Sequence, residues 1–448
     1  MHKFNKNKYL KKQKFKKYQK YFYLGVICLF ILITGLYFAY SKFSVSEESN
    51  IVKTTVGEFL YGDVVIGAYI DGEYSKVIPG KNDGYIVTNV VCDNDTIGEW
   101  DDDSWGIVMS NLTKRTKCNV YFQHSLVNDI IKSLDTTGKC PTINSDNTLR
   151  ITSEESSDAY LCSALDNAGT SYYYRGNVTN NYVKFANFYW RIIRINGDGS
   201  VRVIYDGTTI HNNGDASEDR QIGTSAFNEL LDDNAYVGYM YGTAGSLTYE
   251  ETHKNINDST IKKHIDTWYE SNLKDTIYEK YLADSGFCGS REISENDTDR
   301  ANPGYGQNFT GYRGSYGPWS APENTNNARM KLLCQNKNDF YTINNAIGNQ
   351  SLKYPIGLIS KDEAVLAGFY NSWNSSIYLY TGTNYWTITP DSFNSNSRAV
   401  VRSVSELGST GYFNDTNVNN GVKPVINIKA SVLQQGNGTS SDPYRLKD

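Results

Sequence analysis

The sequence lacks the short motifs by which common enzyme chemistries are recognised. It contains no P-loop, no G-x-S-x-G and no H-E-x-x-H. No two of its cysteines have the C-x-x-C spacing, which argues against a zinc site and against thioredoxin-like redox chemistry. Histidine is scarce, and nothing in the sequence places His211, His253 or His264 beside both a serine and a carboxylate, as a catalytic triad requires. The sequence therefore assigns no catalytic residue.

The first forty residues lack acidic side chains altogether. Residues 1–20 hold nine lysines, and residues 21–40 hold no charged side chain. Twenty apolar residues at about 1.5 Å each span roughly 30 Å, the thickness of a bilayer core. The pattern predicts a transmembrane helix at 21–40, a cytoplasmic basic tail at 1–20 and a single-pass cell-membrane protein with an extracellular C-terminal ectodomain. A cleaved signal peptide is the alternative, but Phe38-Ala39-Tyr40 lacks the small residues of a cleavage site.

The rest of the chain is acidic. Residues 21–448 contain 35 basic and 49 acidic side chains, a net charge of −14. This balance argues against nucleic acid as a partner. Tyrosine is abundant, with 36 residues, and Asn, Ser, Thr and Gly are frequent, which favours a structure rich in strands and turns.

Six cysteines lie outside the predicted helix, and an even number in an extracytoplasmic region indicates disulfides. Six cysteines allow fifteen pairings. Proximity along the chain favours one bridge per segment, which gives Cys92–Cys118, Cys140–Cys162 and Cys288–Cys334.

Changes in composition and periodicity divide the predicted ectodomain. We expect a linker at 41–50, a small all-β module at 51–123, a connecting region with short helices at 124–170, a larger domain at 171–432 and a tail at 433–448. The apolar runs 64–70, 85–92, 105–109 and 118–122 predict the strands of the small module. In the connecting region, the run AYLCSAL after Ser156-Ser157 predicts a short capped helix.

The larger domain mixes strand and helix patterns. Residues 182–195 and 200–207 flank an NGDG turn and predict a β-hairpin. Helices are predicted at 225–233, at 258–283 with a cap at Asp258 or Ser259, and after the capping box at 360–363. Further strands are predicted at 376–382, 385–390, 398–404 and 422–432, with Trp190 and Trp386 in the core.

A long aromatic loop at 289–330 supplies the candidate ligand-binding residues, because exposed aromatic rings stack on sugars or anchor protein contacts. We predict a contact surface at 302–320 that includes Tyr305, Tyr312, Tyr316 and Trp319; the alternative is that these rings pack the loop onto its domain. Acidic clusters at 99–103 and 212–219 make calcium the one candidate cofactor, although neither has EF-hand spacing and both suit solvated loops.

Several segments together resemble a known family. They are YWRIIRINGDGSVRVIYDG, KYPIGLISKDEAVLAGF, YLYTGTNYWTITP and GVKPVINIKASV, with AYIDGEYSKVIPGKNDGYIVTNVVC upstream. The chain resembles, over roughly 65–447, an uncharacterised family of surface proteins from low-GC Gram-positive bacteria. The large domain is similar to C-type-lectin-like folds, in the branch of the formylglycine-generating enzyme. The resemblance implies an α+β fold class, with an N-terminal transmembrane helix, a small all-β module and a larger C-type-lectin-like α+β domain.

Two departures limit what the resemblance implies about chemistry. The oxidase branch uses a close pair of cysteines, whereas Cys288 and Cys334 lie far apart in sequence. Calcium-dependent lectins use Glu-Pro-Asn and Trp-Asn-Asp, whereas this chain has Pro322-Glu323-Asn324 and Trp373-Asn374-Ser375. We therefore expect a membrane-anchored extracytoplasmic binding protein, an adhesin or receptor for a glycan or protein ligand. The alternatives are an extracytoplasmic enzyme acting on cell-wall or glycan material and a self-assembling envelope protein.

Overall fold

The structure is a computed structural model that describes residues 52–54, 64–81, 83–102, 104–112, 115–135, 139–150, 158–293, 310–312, 329–344, 347–369, 373–394, 396 and 398–447. The chain divides into two compact units, Met1–Gln123 and His124–Asp448. Each unit has its own core, and each is described separately below.

The first unit is built from two small sheets. Its strands are β1 (Val52–Thr54), β2 (Val64–Ile70), β3 (Glu73–Ser75), β4 (Tyr85–Cys92), β5 (Ile97–Asp101), β6 (Gly106–Ser110) and β7 (Thr116–His124). They form a three-stranded sheet in the order β1-β6-β5 and a four-stranded sheet in the order β3-β2-β7-β4. The predicted strands 64–70 and 85–92 have the observed bounds of β2 and β4, whose β-branched and aromatic residues favour extended structure.

The second unit contains most of the regular structure. Its helices are α1 (Leu126–Lys132), α2 (Tyr249–Thr252), α3 (Thr260–Asn272) and α4 (Lys361–Leu366). Its strands are β8 (Thr142–Ile143), β9 (Leu149–Arg150), β10 (Ala159–Asp166), β11 (Gly169–Gly176), β12 (Tyr182–Phe185), β13 (Phe188–Ile195), β14 (Val201–Gly207), β15 (Thr224–Ala226), β16 (Met240–Tyr241), β17 (Asn257–Asp258), β18 (Phe287–Cys288), β19 (Thr310–Gly311), β20 (Arg329–Met330), β21 (Phe340–Tyr341), β22 (Ile356–Gly357), β23 (Tyr385–Phe393), β24 (Ala399–Val404), β25 (Tyr412–Asp415), β26 (Asn419–Gly421) and β27 (Val425–Ile428). Short 3-10 helices occur at Glu218–Arg220, Asn234–Val237, Glu279–Tyr281, Lys337–Asp339 and Ala430–Val432.

Two larger sheets organise this unit. The first has the order β10-β11-β13-β14-β27-β22, with β12 also paired to β13. The second has the order β15-β26-β23-β24-β25, with β19 also paired to β23. Trp190 of the first sheet and Trp386 of the second are fully buried in one core, as predicted.

The predicted hairpin of 182–207 is present, with one addition. Strands β13 and β14 pair antiparallel around the turn at 196–200, as predicted. The run 182–195 is itself folded into the β12–β13 hairpin, because Ala186 and Asn187 adopt φ values of 53° and 66°. Two consecutive residues with positive φ are typical of a two-residue hairpin turn.

Helices α3 and α4 begin at the capping residues predicted from the sequence, but α3 is shorter than predicted. Ser259 caps α3 by accepting a hydrogen bond from the Lys262 backbone N–H, and Ser360 with Glu363 forms the predicted capping box of α4. Helix α3 ends at Asn272 instead of the predicted 283, and Ile277 beyond its end is exposed.

The predicted α+β fold class is wrong. The described chain is 38% strand and 14% helix and is therefore largely β. The run AYLCSAL, predicted as a helix, is strand β10, which pairs with β11 in continuous register from Ala159↔Gly176 to Asp166↔Gly169. Residues 225–233 contain the end of β15 and a loop, and residues 376–382 form turns instead of the predicted strand. Long-range pairing has overridden local propensity in these segments.

The predicted membrane topology is also corrected. No helix in the described part of the chain is long and apolar enough to span a bilayer. The segment predicted to do so, 21–40, lies outside the described residues. We therefore do not retain the transmembrane helix or the single-pass location.

The predicted disulfide framework is confirmed. The structure contains the bridges Cys92–Cys118, Cys140–Cys162 and Cys288–Cys334. One bridge links strands β4 and β7 of the first unit, and the other two lie in the second unit. Disulfides form and persist mainly in oxidising compartments, so these bridges favour an extracytoplasmic protein.

Candidate functional site

A polar cavity of about 80 Å³ lies in the second unit, beside the turn that joins β13 to β14. Its walls come from the β10–β11 turn, the facing ends of β13 and β14, the segment 285–290 and the start of α4. Charged side chains of both signs line it, which is unusual for a space of this size in a folded core. The cavity is therefore the best candidate site in the described chain.

The sheet register brings two arginines together at this cavity. Arg194 of β13 and Arg202 of β14 are direct cross-strand partners, so their side chains project from the same face of the sheet. Both are buried. Like charges in directly opposed positions destabilise a sheet unless a counter-ion compensates them. A compensating carboxylate must therefore lie close by.

Glu363 in the first turn of α4 provides that carboxylate. Its Oε1 lies 3.0 Å from Arg194 Nε and 2.7 Å from Arg202 Nε. Its Oε2 accepts a hydrogen bond from the Ser360 backbone N–H at 2.9 Å, which completes the capping box. The capping box thus fixes the position of Glu363, which neutralises two arginines of the β13–β14 hairpin.

Asp166, at the end of β10, is the second counter-ion. Its Oδ2 accepts hydrogen bonds from Arg194 Nη1 at 2.6 Å and from the Gly197 backbone N–H at 2.9 Å. Its Oδ1 accepts two more from the backbone N–H groups of Ala168 and Gly169. Both oxygens of this carboxylate are therefore occupied within the protein.

The electrostatics favour the charged forms of Glu363 and Arg202 near neutral pH. Burial alone would raise the pKa of Glu363, but Arg202 and Arg194 outweigh burial and hold that pKa below its usual value. Burial lowers the pKa of Arg202 to about 10 despite Glu363, which still leaves the guanidinium protonated. An ionised carboxylate that already accepts several hydrogen bonds is a poor general acid or base. The arrangement suits binding better than proton transfer.

Three polar atoms at the cavity have unused hydrogen-bonding capacity. The Nη2 atoms of Arg194 and Arg202 donate no hydrogen bond to any residue in the described ranges. Asn196 Oδ1 is buried and likewise has no partner there, although the Asn196 amide nitrogen bonds Ser200 and Asn427. Of the polar atoms here, Asn196 Oδ1 and Arg202 Nε are buried without a hydrogen-bond partner in the described chain, whereas the two Nη2 atoms are not fully buried.

Other buried arginines provide a comparison. Arg191, Arg220 and Arg291 each use all three guanidinium nitrogens in hydrogen bonds to protein groups. Asp206, which pairs with Arg191 and Arg220, nevertheless has a buried Oδ2 without a hydrogen-bond partner in the described chain. Arg175, which is also buried, donates hydrogen bonds only through Nη1 in the described chain, so unused guanidinium nitrogens are not confined to the cavity arginines.

A disulfide fixes one wall of the cavity. Cys288 lines the space and is bonded to Cys334. The Asn167 side chain then holds the Cys334 backbone twice, by donating to its carbonyl oxygen at 2.9 Å and accepting from its N–H at 2.7 Å. The β10–β11 turn and the disulfide thus brace each other, which favours a preformed site.

Among the sequence-predicted contact residues, Tyr312 is the one that the structure describes, and it does not line this cavity. Tyr312 is fully buried, and its hydroxyl donates to Asn234 Oδ1 and lies 2.9 Å from His253 Nε2. The structure therefore places Tyr312 in the core and not on an accessible contact surface. Tyr305, Tyr316 and Trp319 lie outside the described residues, and their ligand contact stays a prediction.

The histidines and acidic loops do not form a second site. Among the residues that the structure describes, no group of three or more His, Cys, Asp or Glu side chains could hold a metal ion. Asp219 accepts hydrogen bonds from the hydroxyls of Thr208 and Thr209 and lies 2.9 Å from His211 Nε2. Thr209 Oγ1 approaches the same nitrogen at 3.3 Å, so this histidine cannot relay a proton between the two groups.

Sequence reasoning missed Arg194, Asn196 and Arg202, and it assigned Glu363 only as a helix cap. A signal was present, because YWRIIRI and SVRVIYDG contain arginines inside apolar strands. A charged residue within a strand buried on both faces must find a partner in the core. Comparison of the chain with protein-family models, curated proteins and solved structures found no match. The resemblance to a surface-protein family therefore stays a prediction.

Proposed function

We propose that this chain is an extracytoplasmic binding protein whose ligand places a polar group in the cavity beside the β13–β14 turn. The proposal rests on a cavity lined by Arg194 and Arg202, whose Nη2 atoms have no hydrogen-bond acceptor among the described residues. Three disulfides support the extracytoplasmic setting. An adhesin or receptor for a glycan or protein ligand fits these features.

The proposal favours binding over catalysis for a physical reason. Asp166 and Glu363 are the carboxylates deepest in the cluster, and both are committed to arginines and backbone N–H groups. A hydrolase needs a carboxyl group poised to exchange a proton near its working pH. A rigid, disulfide-braced recess with free hydrogen-bonding groups instead resembles a recognition site.

The test is to block the cavity without disturbing the charges. Ala168 lines the cavity from an exposed position in the β10–β11 turn, just before Gly169. Ala168→Trp should therefore fill the entrance. Ala244→Trp is the matched control, because Ala244 is also exposed, also precedes a turn glycine with positive φ, and does not line the cavity.

Binding of the purified full chain to arrays of glycans and peptides would be measured with calcium and with chelator. We expect selective ligands that the A168W variant loses by tenfold or more in affinity and the A244W variant retains. Equal binding by both variants would show that the cavity is not the binding site. No selective ligand on either array would argue against a binding function for these ligand classes.

A further inference from the structure

We propose that Lys423 is an uncharged amine in the folded chain at mildly alkaline pH, and that its protonation as the pH falls through neutrality destabilises the junction between the two large sheets. Lys423 lies in the segment 422–424, through which the chain passes from β26 of one sheet to β27 of the other. Its side chain is 1% exposed. Lys423 does not line the cavity described above, so this pH-sensitive contact is separate from the proposed binding site.

Lys423 is one of three cations in a buried cluster that has one carboxylate in the described chain. The other members are Asp206, Arg191 and Arg220, whose side chains are at most 2% exposed. Asp206 Oδ1 lies 2.8 Å from both Nε and Nη2 of Arg220, whereas Asp206 Oδ2 lies 3.9 Å from Arg191 Nη1. One carboxylate balances one cation, so a protonated Lys423 would leave an excess of buried positive charge, which is costly.

The polar contacts of Lys423 suit an amine better than an ammonium group. Its Nζ donates to the Arg220 carbonyl oxygen at 2.7 Å and lies 3.7 Å from Asp206 Oδ1, which exceeds hydrogen-bonding distance. Among the described residues, Nζ has no other hydrogen-bond acceptor. An ammonium group has three donors, so two of them would remain unsatisfied in the core. The uncharged amine avoids the cost of a buried charge.

Lys262 provides a comparison within the same unit. Its side chain is also 1% exposed, but its Nζ lies 2.7 Å from Asp266 Oδ2 and 3.2 Å from Asp258 Oδ1. Lys262 thus has two carboxylates for one cation, whereas Lys423 shares one carboxylate with two arginines. The shortage of negative charge is therefore specific to the position of Lys423 and does not follow from burial of a lysine in this fold.

The charged and titratable groups that face Lys423 come from four elements. Asp206 belongs to β14, Arg191 to β13, Arg220 to the 3-10 helix before β15, and Tyr385 to β23, with its ring centre 5.6 Å from Lys423 Nζ. Burial lowers the pKa of Lys423 to about 7; Asp206 opposes this shift, and the charges of Arg220 and Arg191 add to it. Burial raises the pKa of the Tyr385 hydroxyl, which therefore stays neutral and supplies no counter-charge.

The charge of Lys423 acts on the junction through Arg220. Lys423 Nζ bonds the Arg220 carbonyl oxygen, and the Arg220 guanidinium donates to the carbonyl oxygens of Tyr378 and Tyr380 and pairs with Asp206. These contacts connect β14 of the first sheet with the segment that precedes β23 of the second. Protonation places a further positive charge at this point and opposes the folded state.

This arrangement predicts stability that rises with pH. Lys423 has its ordinary pKa of 10.5 in the unfolded chain and a pKa of about 7 in the folded chain, so the unfolded chain binds more protons between these two values. The contribution of Lys423 to stability is smallest below pH 7 and grows as the pH rises toward 10.5. From pH 6 to pH 8.5, the unfolding equilibrium constant of the second unit should fall about thirtyfold through this residue alone.

Lys423→Met tests the proposal, because methionine keeps an unbranched side chain and removes the titrating group. The full chain would be unfolded in urea at pH 6 and at pH 8.5, with pulsed hydrogen exchange at one fixed pH to follow peptides from β14 and β27. Lys429→Met is the control, since Lys429 directly follows β27 and is partly exposed. We expect the wild type and K429M to share one pH dependence, and that of K423M to be about thirtyfold smaller. Equal pH dependence in the wild type and K423M would overturn the proposal.

A direct titration decides the matter if K423M does not fold. NMR of the full chain carrying carbon-13 at lysine Cε would follow the lysine signals with pH. We expect one lysine signal of the folded chain to titrate near pH 7 and to lose this behaviour in concentrated urea. A folded chain in which no lysine signal titrates below about pH 9 would refute the uncharged amine.

Discussion

Replacement of Glu363 by glutamine should destabilise the second unit strongly, because this carboxylate neutralises two buried arginines. Glutamine preserves the volume and can still accept the Ser360 N–H through its carbonyl oxygen. It removes the charge that lies 3.0 Å from Arg194 Nε and 2.7 Å from Arg202 Nε. Removing one partner of a buried ion pair costs about 3–5 kcal/mol, because the other partner is left uncompensated. We expect a loss in this range for E363Q.

The assay would be urea unfolding of the full chain, combined with hydrogen exchange of peptides that cover β13 and β14. Hydrogen exchange assigns the change to the second unit, which matters because the chain has two units and its unfolding need not be two-state. Glu229→Gln is the control, since Glu229 is exposed, and its effect should stay within about 0.5 kcal/mol. A loss below about 1 kcal/mol for E363Q would refute the proposed role of this charge.

The same residue gives a pH dependence with a defined sign. The folded-state pKa of Glu363 is held below its ordinary value of 4.5, mainly by Arg202 and Arg194 acting against burial. The unfolded chain therefore binds more protons in this range than the folded chain does. The stabilisation is fully present above pH 4.5 and is lost as the pH falls through the folded-state pKa. Below pH 4.5, the free energy of unfolding of the wild type should fall more steeply with decreasing pH than that of E363Q. Parallel plots of unfolding free energy against pH for the two proteins would contradict this role of Glu363.

Two further expectations concern the disulfides and Tyr312. Thiol titration of the denatured, unreduced chain should find a single reactive thiol, that of Cys28, and several reactive thiols would refute the disulfide framework. Replacement of both Cys288 and Cys334 by serine should lower the free energy of unfolding by about 4 kcal/mol, because their loop spans 46 residues. Tyr312→Phe should cost about 1–3 kcal/mol, since it leaves Asn234 and His253 without the buried hydroxyl, whereas the exposed Tyr412→Phe should be nearly neutral in the same unfolding assay.

Local signals in the sequence predicted local structure well. The capping box at Ser360 to Glu363, the cap at Ser259 and the strands at 64–70 and 85–92 are all present. In each case the determinant is a hydrogen bond or a burial pattern within a few residues. Chain proximity likewise predicted the cysteine pairs, since each bridge joins neighbouring elements of its own segment.

The run AYLCSAL shows where local reasoning fails. Ala159, Leu161, Cys162 and Ala164 are compatible with a helix, and two serines that could cap one precede them. The structure instead pairs the whole run with β11 and bonds Cys162 to Cys140. Eight register pairs and a disulfide outweigh a preference of a few tenths of a kcal/mol per residue. Neither the strand pairing nor the disulfide depends on neighbouring residues alone, so the local sequence pattern could not predict the strand.

The cavity was beyond prediction for a related reason. Arg194 and Arg202 become neighbours only because the β13–β14 register places them opposite each other, and Glu363 reaches them from more than 150 residues away. In the sequence, each of the three residues is explained equally well as an ordinary strand residue or helix cap. Only the fold reveals that the three residues line one cavity.

The energetics of this cluster favour a functional interpretation over a purely structural one. A buried ion pair contributes little net stability, because desolvation of both charges offsets their attraction, and apolar residues of similar size often serve equally well. The cluster at the cavity nevertheless contains Arg194, Arg202, Asp166 and Glu363 and leaves two donors and one acceptor unused. Stability alone does not account for a cavity of about 80 Å³ beside four buried charges, since a close-packed interior leaves little empty space. The binding function proposed above would give this space and the charges around it a role beyond stability.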